Sequence, residues 1–159
     1  MLMLAVMLGP VMALAQLNFR TLPEFPAFKL KGSDGQVFTT TAVMQKNKPT
    51  VVIYFSPTCH HCQTQVQDIT SNMKTFKDAR FLLVTSYGEQ DTRPFLDEYA
   101  IEKFPNIRFG YDTSYAMRRF FLLESMPGIF IYDKQGKFKR DFDTNVRPQT
   151  LYAAIFDKE

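Results

Sequence analysis

Tryptophan is absent from this chain, and cysteine and histidine occur only twice each in 159 residues. Two cysteines are too few for a disulfide-stapled scaffold, so stability must come from a packed core. An excess of one charge is also missing. Nineteen Lys and Arg against sixteen Asp and Glu leave a formal +3. So small and scattered a surplus excludes the basic stripe of a nucleic-acid binder. Seven glycines and nine prolines, with no repeat and no low-complexity tract, exclude collagen-like and disordered classes. The apolar run at residues 1–17 is broken by Gly9 and Pro10. It falls short of the roughly 20 residues that span a bilayer as a helix. What remains is a chain 45% hydrophobic and 22% charged, rich in Phe (16) and Tyr (7). That composition and length fit one domain with an aromatic core.

Residues 1–17 carry no charge and end at Ala13-Leu14-Ala15, followed by Gln16. Small residues at the minus-three and minus-one positions are what a signal peptidase accepts. Residues 1–15 are therefore expected to be a signal peptide, with an uncleaved N-terminal anchor as the alternative, and residues 16–159 one folded domain. No Lys or Arg precedes the apolar run, which points to a start upstream of Met1. No cysteine lies near residue 16, so a lipoprotein is not expected. Export implies an oxidising compartment, periplasmic or cell-envelope, where disulfides persist.

Along the mature chain, Phe28–Phe38 reads as a hairpin around Gly32-Ser33-Asp34-Gly35, and Thr40–Met44 as one helical turn. The run Thr50–Phe55 is apolar without alternation, as in a central strand buried on both faces. After Ser56-Pro57-Thr58 the period changes. Cys62, Val66, Ile69, Met73 and Phe76 recur at three and four, predicting a helix from Cys59 to about Lys77. A strand at Phe81–Thr85 follows, then a helix capped by Asp91 or Thr92 with Pro94 in its first turn, ending near Ala100. Asn106–Phe109 predicts a strand, and Asp112–Phe121 a helix. A hairpin of Gly128–Tyr132 and Phe138–Phe142 and a last helix from Arg147-Pro148 to about Phe156 complete an α/β pattern with a mixed sheet.

All the cysteine and histidine falls in one tetrapeptide, Cys59-His60-His61-Cys62, where a buried strand turns into a helix. Two intervening residues place the sulfurs one helical turn apart on one face, close enough to bridge. The first sulfur meets the free N–H groups and the dipole of the opening turn, which favour an anion. Cys59 is therefore the expected attacking thiolate and Cys62 the resolving thiol. Protonated His60 and His61 would lower the Cys59 pKa further, and a stabilised thiolate pushes the couple toward an oxidant. A structural disulfide and two inert core thiols are the duller readings. The same four residues also have the ligand chemistry for zinc or copper. A metal carrier is thus the alternative function, although consecutive histidines on one turn cannot both point where the sulfurs point.

The strand, Ser56-Pro-Thr-Cys-His-His-Cys62 and helix together resemble the active site of the thioredoxin superfamily. Ser125-Met126-Pro127-Gly128 and the following hairpin look like that family's cis-proline loop. The lead-in Phe25–Phe38 and the extra strand and helix from 106 to 121 are similar to the TlpA/ResA-like exported branch. The resemblance covers about residues 23–157. It implies a thioredoxin fold, a mixed β-sheet flanked by helices, with an N-terminal β-hairpin and an inserted strand–helix element. It also implies a thiol–disulfide oxidoreductase with a redox-active Cys59–Cys62 disulfide, no other cofactor and no assigned metal ligand. Met126 and Pro127 would bind the substrate's backbone beside the sulfurs. Partners would be protein thiols or disulfides of the cell envelope and a membrane electron donor, with the protein a monomer.

The chain departs from the family pattern at three positions. Thr58 replaces the Trp usual before the first cysteine. Ile53 stands where thioredoxins bury an acid, and Gln65 where the ResA group has Glu, so either His61 or water takes the resolving thiol's proton or deprotonation of Cys62 is slow. His61 directly before the second cysteine resembles the DsbA-like and protein disulfide isomerase-like branches, which oxidise or isomerise. Pro57-Thr58-Cys59 also invites comparison with peroxiredoxins, but those place Thr three residues before the reactive cysteine, where this chain has Ser56. Arg118, Arg119, Lys137, Lys139 and Arg140 are read as solvated rather than as a docking patch, and Phe120–Leu123 as core that in part lines the groove near Met126.

Overall fold

The computed structural model describes residues 24–157. The expected signal-peptide cleavage after Ala15 lies outside them. Among the described residues seven strands form one mixed sheet: β1 (Lys29–Lys31), β2 (Val37–Thr39), β3 (Thr50–Tyr54), β4 (Arg80–Thr85), β5 (Ile107–Tyr111), β6 (Gly128–Tyr132) and β7 (Phe138–Phe142). Their order across the sheet is β2-β1-β5-β4-β3-β6-β7. β3, β4 and β5 run parallel, while β6 pairs antiparallel with β3 and the edge strand β7 antiparallel with β6. The N-terminal hairpin joins the other side through β1 and β5, Lys31 opposite Tyr111. This is the thioredoxin-like arrangement that the sequence implies.

All five residues of β3 are buried, so the unbroken apolar run does mark the sheet's centre. Val51 and Ile53 face one core, which also holds Val66 and Ile69 of α1 (His60–Ser71), Phe95 and Leu96 of α2 (Glu89–Glu98), and Leu151 and Ile155 of α4 (Pro148–Phe156). Val52 and Tyr54 face a second core with Phe25, Leu30, Val43, Phe130 and Met117 of α3 (Ala116–Phe120). The sheet is thus covered on both faces.

Helix boundaries differ from the sequence reading for local reasons. α1 ends at Ser71 rather than near Lys77, because the Asn72 side chain donates to the Asp68 carbonyl at 2.8 Å and competes with the helical ladder. Tight turns then carry the chain to Ala79, and their three-residue spacing keeps Met73 and Phe76 packed on the core. α2 begins at Glu89 with Gly88 as its N-cap, so neither Asp91 nor Thr92 caps it and Pro94 lies beyond the first turn. The buried Thr92 hydroxyl instead donates back to the Gly88 carbonyl at 2.8 Å. β5 runs on to Tyr111, and the chain turns once before α3 starts at Ala116. Asp112 still acts as the start signal. Its buried carboxylate accepts the N–H groups of Ala116, Met117 and Arg118 at 2.9, 3.0 and 3.2 Å.

α3 closes with a turn of an unusual composition. The Leu123 N–H donates to the Arg118 carbonyl and the Leu122 N–H to the Arg119 carbonyl, both at 3.2 Å. Such paired bonds put one residue in the left-handed region, a place glycine usually takes. Here it is Leu122, at φ 49.

Candidate active site

β3 delivers the chain to the rim of the sheet, where Ser56 to Thr58 turn it into α1. The Cys59 N–H donates to the Ser56 carbonyl at 3.2 Å, and the Gln63 side chain donates to the Pro57 carbonyl at 3.0 Å. These bonds hold Cys59 as the N-cap of α1, so its sulfur stands at the positive end of a twelve-residue helix. Cys59 is half-buried and Cys62 wholly buried, and both are free thiols.

The two sulfurs are unlike neighbours. Burial pushes the Cys62 thiol up to about 12; the Ser56 N–H pulls the other way, and the Cys62 S–H is held by a hydrogen bond to Cys59. The Ser56 N–H lies 3.5 Å from the Cys62 sulfur. Cys59 is thus the more accessible of the two, and Cys62 is shielded from solvent with its proton held at neutral pH.

Across 67 residues of sequence, the Cys59 thiol donates to the Met126 carbonyl at 3.6 Å. The Met126–Pro127 peptide is cis. Pro127 is buried, and Met126 is half-buried between the two cores. The expected pairing of the proline loop with the cysteine turn is thus present in space.

His60 and His61 are both exposed, their rings 6.3 Å apart. Among the described residues no group of three or more His, Cys, Asp and Glu is arranged to hold a metal ion. The tetrapeptide does not assemble as a ligand set, because one sulfur is buried while the imidazoles face solvent. Ile53 is buried in the core, and Gln65, wholly buried one turn past Cys62, accepts the Val146 N–H at 2.7 Å. Neither position offers a carboxylate.

Lys139 and Arg140 line a cleft against α4, whereas Arg118 and Arg119 flank Leu122. The Phe120–Leu123 segment, expected as core, is core only in part. Phe121 is buried and stacks on Phe130 at 3.9 Å, whereas Phe120 and Leu122 are exposed.

The sequence pattern of the AhpC/TSA family matches residues 23–149. No curated protein matches the chain. Among solved structures, the chain is similar to a secreted Mycobacterium tuberculosis disulfide oxidoreductase homologous to E. coli DsbE, at 14% identity and a TM-score of 0.67, over 80% of this chain and 92% of that one. It is also similar to StoA from Bacillus subtilis, at 13% identity and a TM-score of 0.63, over 84% and 98% of the two chains. A third likeness is to the peroxidoxin BcpB of M. tuberculosis, at 12% identity and a TM-score of 0.68, over 82% and 92%. At such identities the likeness establishes the shared fold.

Proposed function

The chain belongs to the AhpC/TSA family, whose members are thiol oxidoreductases of the thioredoxin superfamily, and from that premise we propose that it exchanges disulfides with protein partners outside the cytoplasm through Cys59 and Cys62. One observation carries this reading. Cys59 caps α1 as a half-buried residue with its sulfur 3.6 Å from the Met126 carbonyl, while Cys62 is wholly buried. Export is supported by the apolar, signal-like composition of residues 1–15 and by structural neighbours described as secreted or exposed.

In the reducing direction the Cys59 thiolate attacks one sulfur of a partner disulfide. That S–S bond breaks and the partner's other sulfur leaves as a thiolate. Cys62 then gives up its proton to water or the departing thiolate and attacks the Cys59 sulfur, releasing the second partner thiol. Two electrons pass from the protein dithiol to the partner; oxidation of a partner dithiol is the same path reversed. Met126 and Pro127 hold the partner backbone alongside.

Two measurements test this. Cys62→Ala traps covalent complexes through Cys59, whereas Cys59→Ala traps none; equal trapping overturns the roles. A glutathione titration of the Cys59–Cys62 pair, read by alkylating free thiols, fixes the direction. A midpoint near or above about −180 mV marks an oxidant or isomerase, and one near or below about −270 mV a reductase. The peroxidoxin likeness supports a second reading, reduction of peroxide by Cys59. Hydrogen peroxide consumed faster than a peptide disulfide would favour it.

A further inference from the structure

A cleft of about 360 Å³ opens one residue before Met126. Phe121, Leu123, Phe130 and Phe138 line it, and Glu124 and Asp143 are among its acids. The volume falls in the range of clefts that take a ligand group. Its two walls come from distant parts of the sequence, the turn after α3 and the edge strand β7. The Ser125 hydroxyl donates to the Asp143 carbonyl, at 2.6 Å, and ties them together.

Charge in this cleft runs against the charge of the protein. The chain carries a net +3, yet among the described residues the lining includes the acids Glu124 and Asp143 and no Lys, Arg or His, with Arg118 and Arg119 beyond it, flanking Leu122. Apolar surface is also exposed at its edge, with Phe120 41% and Leu122 64% accessible. Leu122 holds its side chain outward from a left-handed backbone position, an unfavourable place for a branched residue on two counts. Strain and exposure on the rim of a concavity point to a contact made with something else.

We infer that this cleft selects partners whose reactive cysteine is followed or preceded, two or three residues away, by a large apolar side chain next to a cationic one. The inference rests on the disulfide-exchange reading above and names the substrate class of that site. Ser125 lines the cleft and is chain neighbour to Met126, whose carbonyl meets the Cys59 sulfur. Adjacent Cα atoms stand about 3.8 Å apart, and an extended partner advances about 3.3 Å per residue. A partner cysteine at Cys59 therefore brings its second or third neighbour to the cleft mouth. The apolar side chain enters between Leu123 and Phe138, and the cation meets the carboxylates of Glu124 and Asp143.

The test compares two heptapeptides, each a mixed disulfide with glutathione at a central cysteine. One carries glycine, phenylalanine and lysine outward on both sides, the other glycine, glycine and glutamate. The full-length wild-type protein is expected to favour the first by about tenfold in kcat/KM, the joint effect of a partly buried apolar side chain and of the charge match at the rim. In E124K/D143K the ratio falls below about threefold, because the rim charge is reversed. Taking the ratio within each protein cancels any general loss of activity. Equal rates for the two peptides in wild type, or an unchanged ratio in the double variant, overturn the cleft assignment and leave disulfide exchange standing. If neither peptide exchanges, the exchange reading falls and the cleft assignment falls with it.

Discussion

Gln65 accepts the backbone N–H of Val146 at 2.7 Å, a bond that fastens the helix carrying both cysteines to the segment leading into α4. Its Nε2 is buried with no hydrogen-bond partner among the described residues. Gln65→Ala removes the acceptor, leaves the Val146 N–H unpaired and opens a void beneath α1. It is expected to destabilise the reduced protein by about 2–3 kcal/mol, read from urea denaturation. A loss under about 0.5 kcal/mol would mean that the bond is replaced by water.

Cys62 should be silent where Cys59 reacts. With its thiol pushed up to about 12, Cys62 remains protonated at neutral pH. Iodoacetamide at pH 7 is therefore expected to label Cys59 alone, with Cys62 labelled only after unfolding. Mass mapping of the alkylated peptide decides it, and early labelling of Cys62 would contradict its burial.

The same shift makes reduced-state stability depend on alkaline pH. Cys62 titrates higher in the folded protein than its ordinary value of 9.0, so the folded state holds the proton that the unfolded state releases. That contribution is complete below pH 9 and is lost as the pH climbs toward 12. Between pH 9 and 10 the stability of the reduced protein should fall more steeply than that of Cys62→Ala, by at most about 1.4 kcal/mol per pH unit. Matching slopes would show that burial does not hold the proton.

Asp112 organises the inserted helix. Besides three backbone N–H groups, its carboxylate accepts the Tyr54 hydroxyl at 3.2 Å and the Ser114 hydroxyl at 3.3 Å. Asp112→Asn turns one accepting oxygen into a donor facing donors and removes a charge from the start of α3. A cost of about 2–3 kcal/mol is expected, with faster amide exchange at Ala116–Arg118. Unchanged exchange there would sink the capping role.

Leu122→Gly should be stabilising. The left-handed backbone at φ 49 suits glycine. Relief of about 1–2 kcal/mol, against about 0.4–1 kcal/mol of added unfolded-chain entropy, leaves a small net gain. A higher Tm together with a weaker preference for the phenylalanine–lysine peptide would show that Leu122 is kept for contact rather than for folding.

Gly110 marks a close approach at the other end of the sheet. A Cβ there would stand 2.9 Å from the Leu30 Cβ and Cδ1 and from the Phe38 ring. Gly110→Ala should cost about 1–3 kcal/mol by pushing the N-terminal hairpin off β5, seen as a lower Tm with the Cys59–Cys62 midpoint potential unchanged.

Local chemistry made much of this protein legible in its sequence. An unbroken apolar run such as Thr50–Phe55 must be buried on both faces, and a change of period at Cys59 must begin a helix. Two cysteines one turn apart at that junction share a face, and Cys59 stands at the helix terminus. Those relations are short in sequence, so pattern and spacing settle them. Helix ends were less legible, because at Asn72, Gly88 and Asp112 particular hydrogen bonds settle the boundary and periodicity does not register them.

Relations between distant segments were decided by the tertiary structure. The burial that separates Cys62 from Cys59 comes from packing against the sheet, not from the tetrapeptide. The exposure of His60 and His61 follows from the face of α1 that the core leaves free. Gln65 was visible as a missing carboxylate, but its bond to Val146 spans 81 residues. The acidic, phenylalanine-lined cleft joins the turn after α3 to β7, and no periodic signal runs through both. The sequence by itself determines which residues are adjacent along a strand or a helical turn. Only the folding of the sheet decides which of them face one another across a groove.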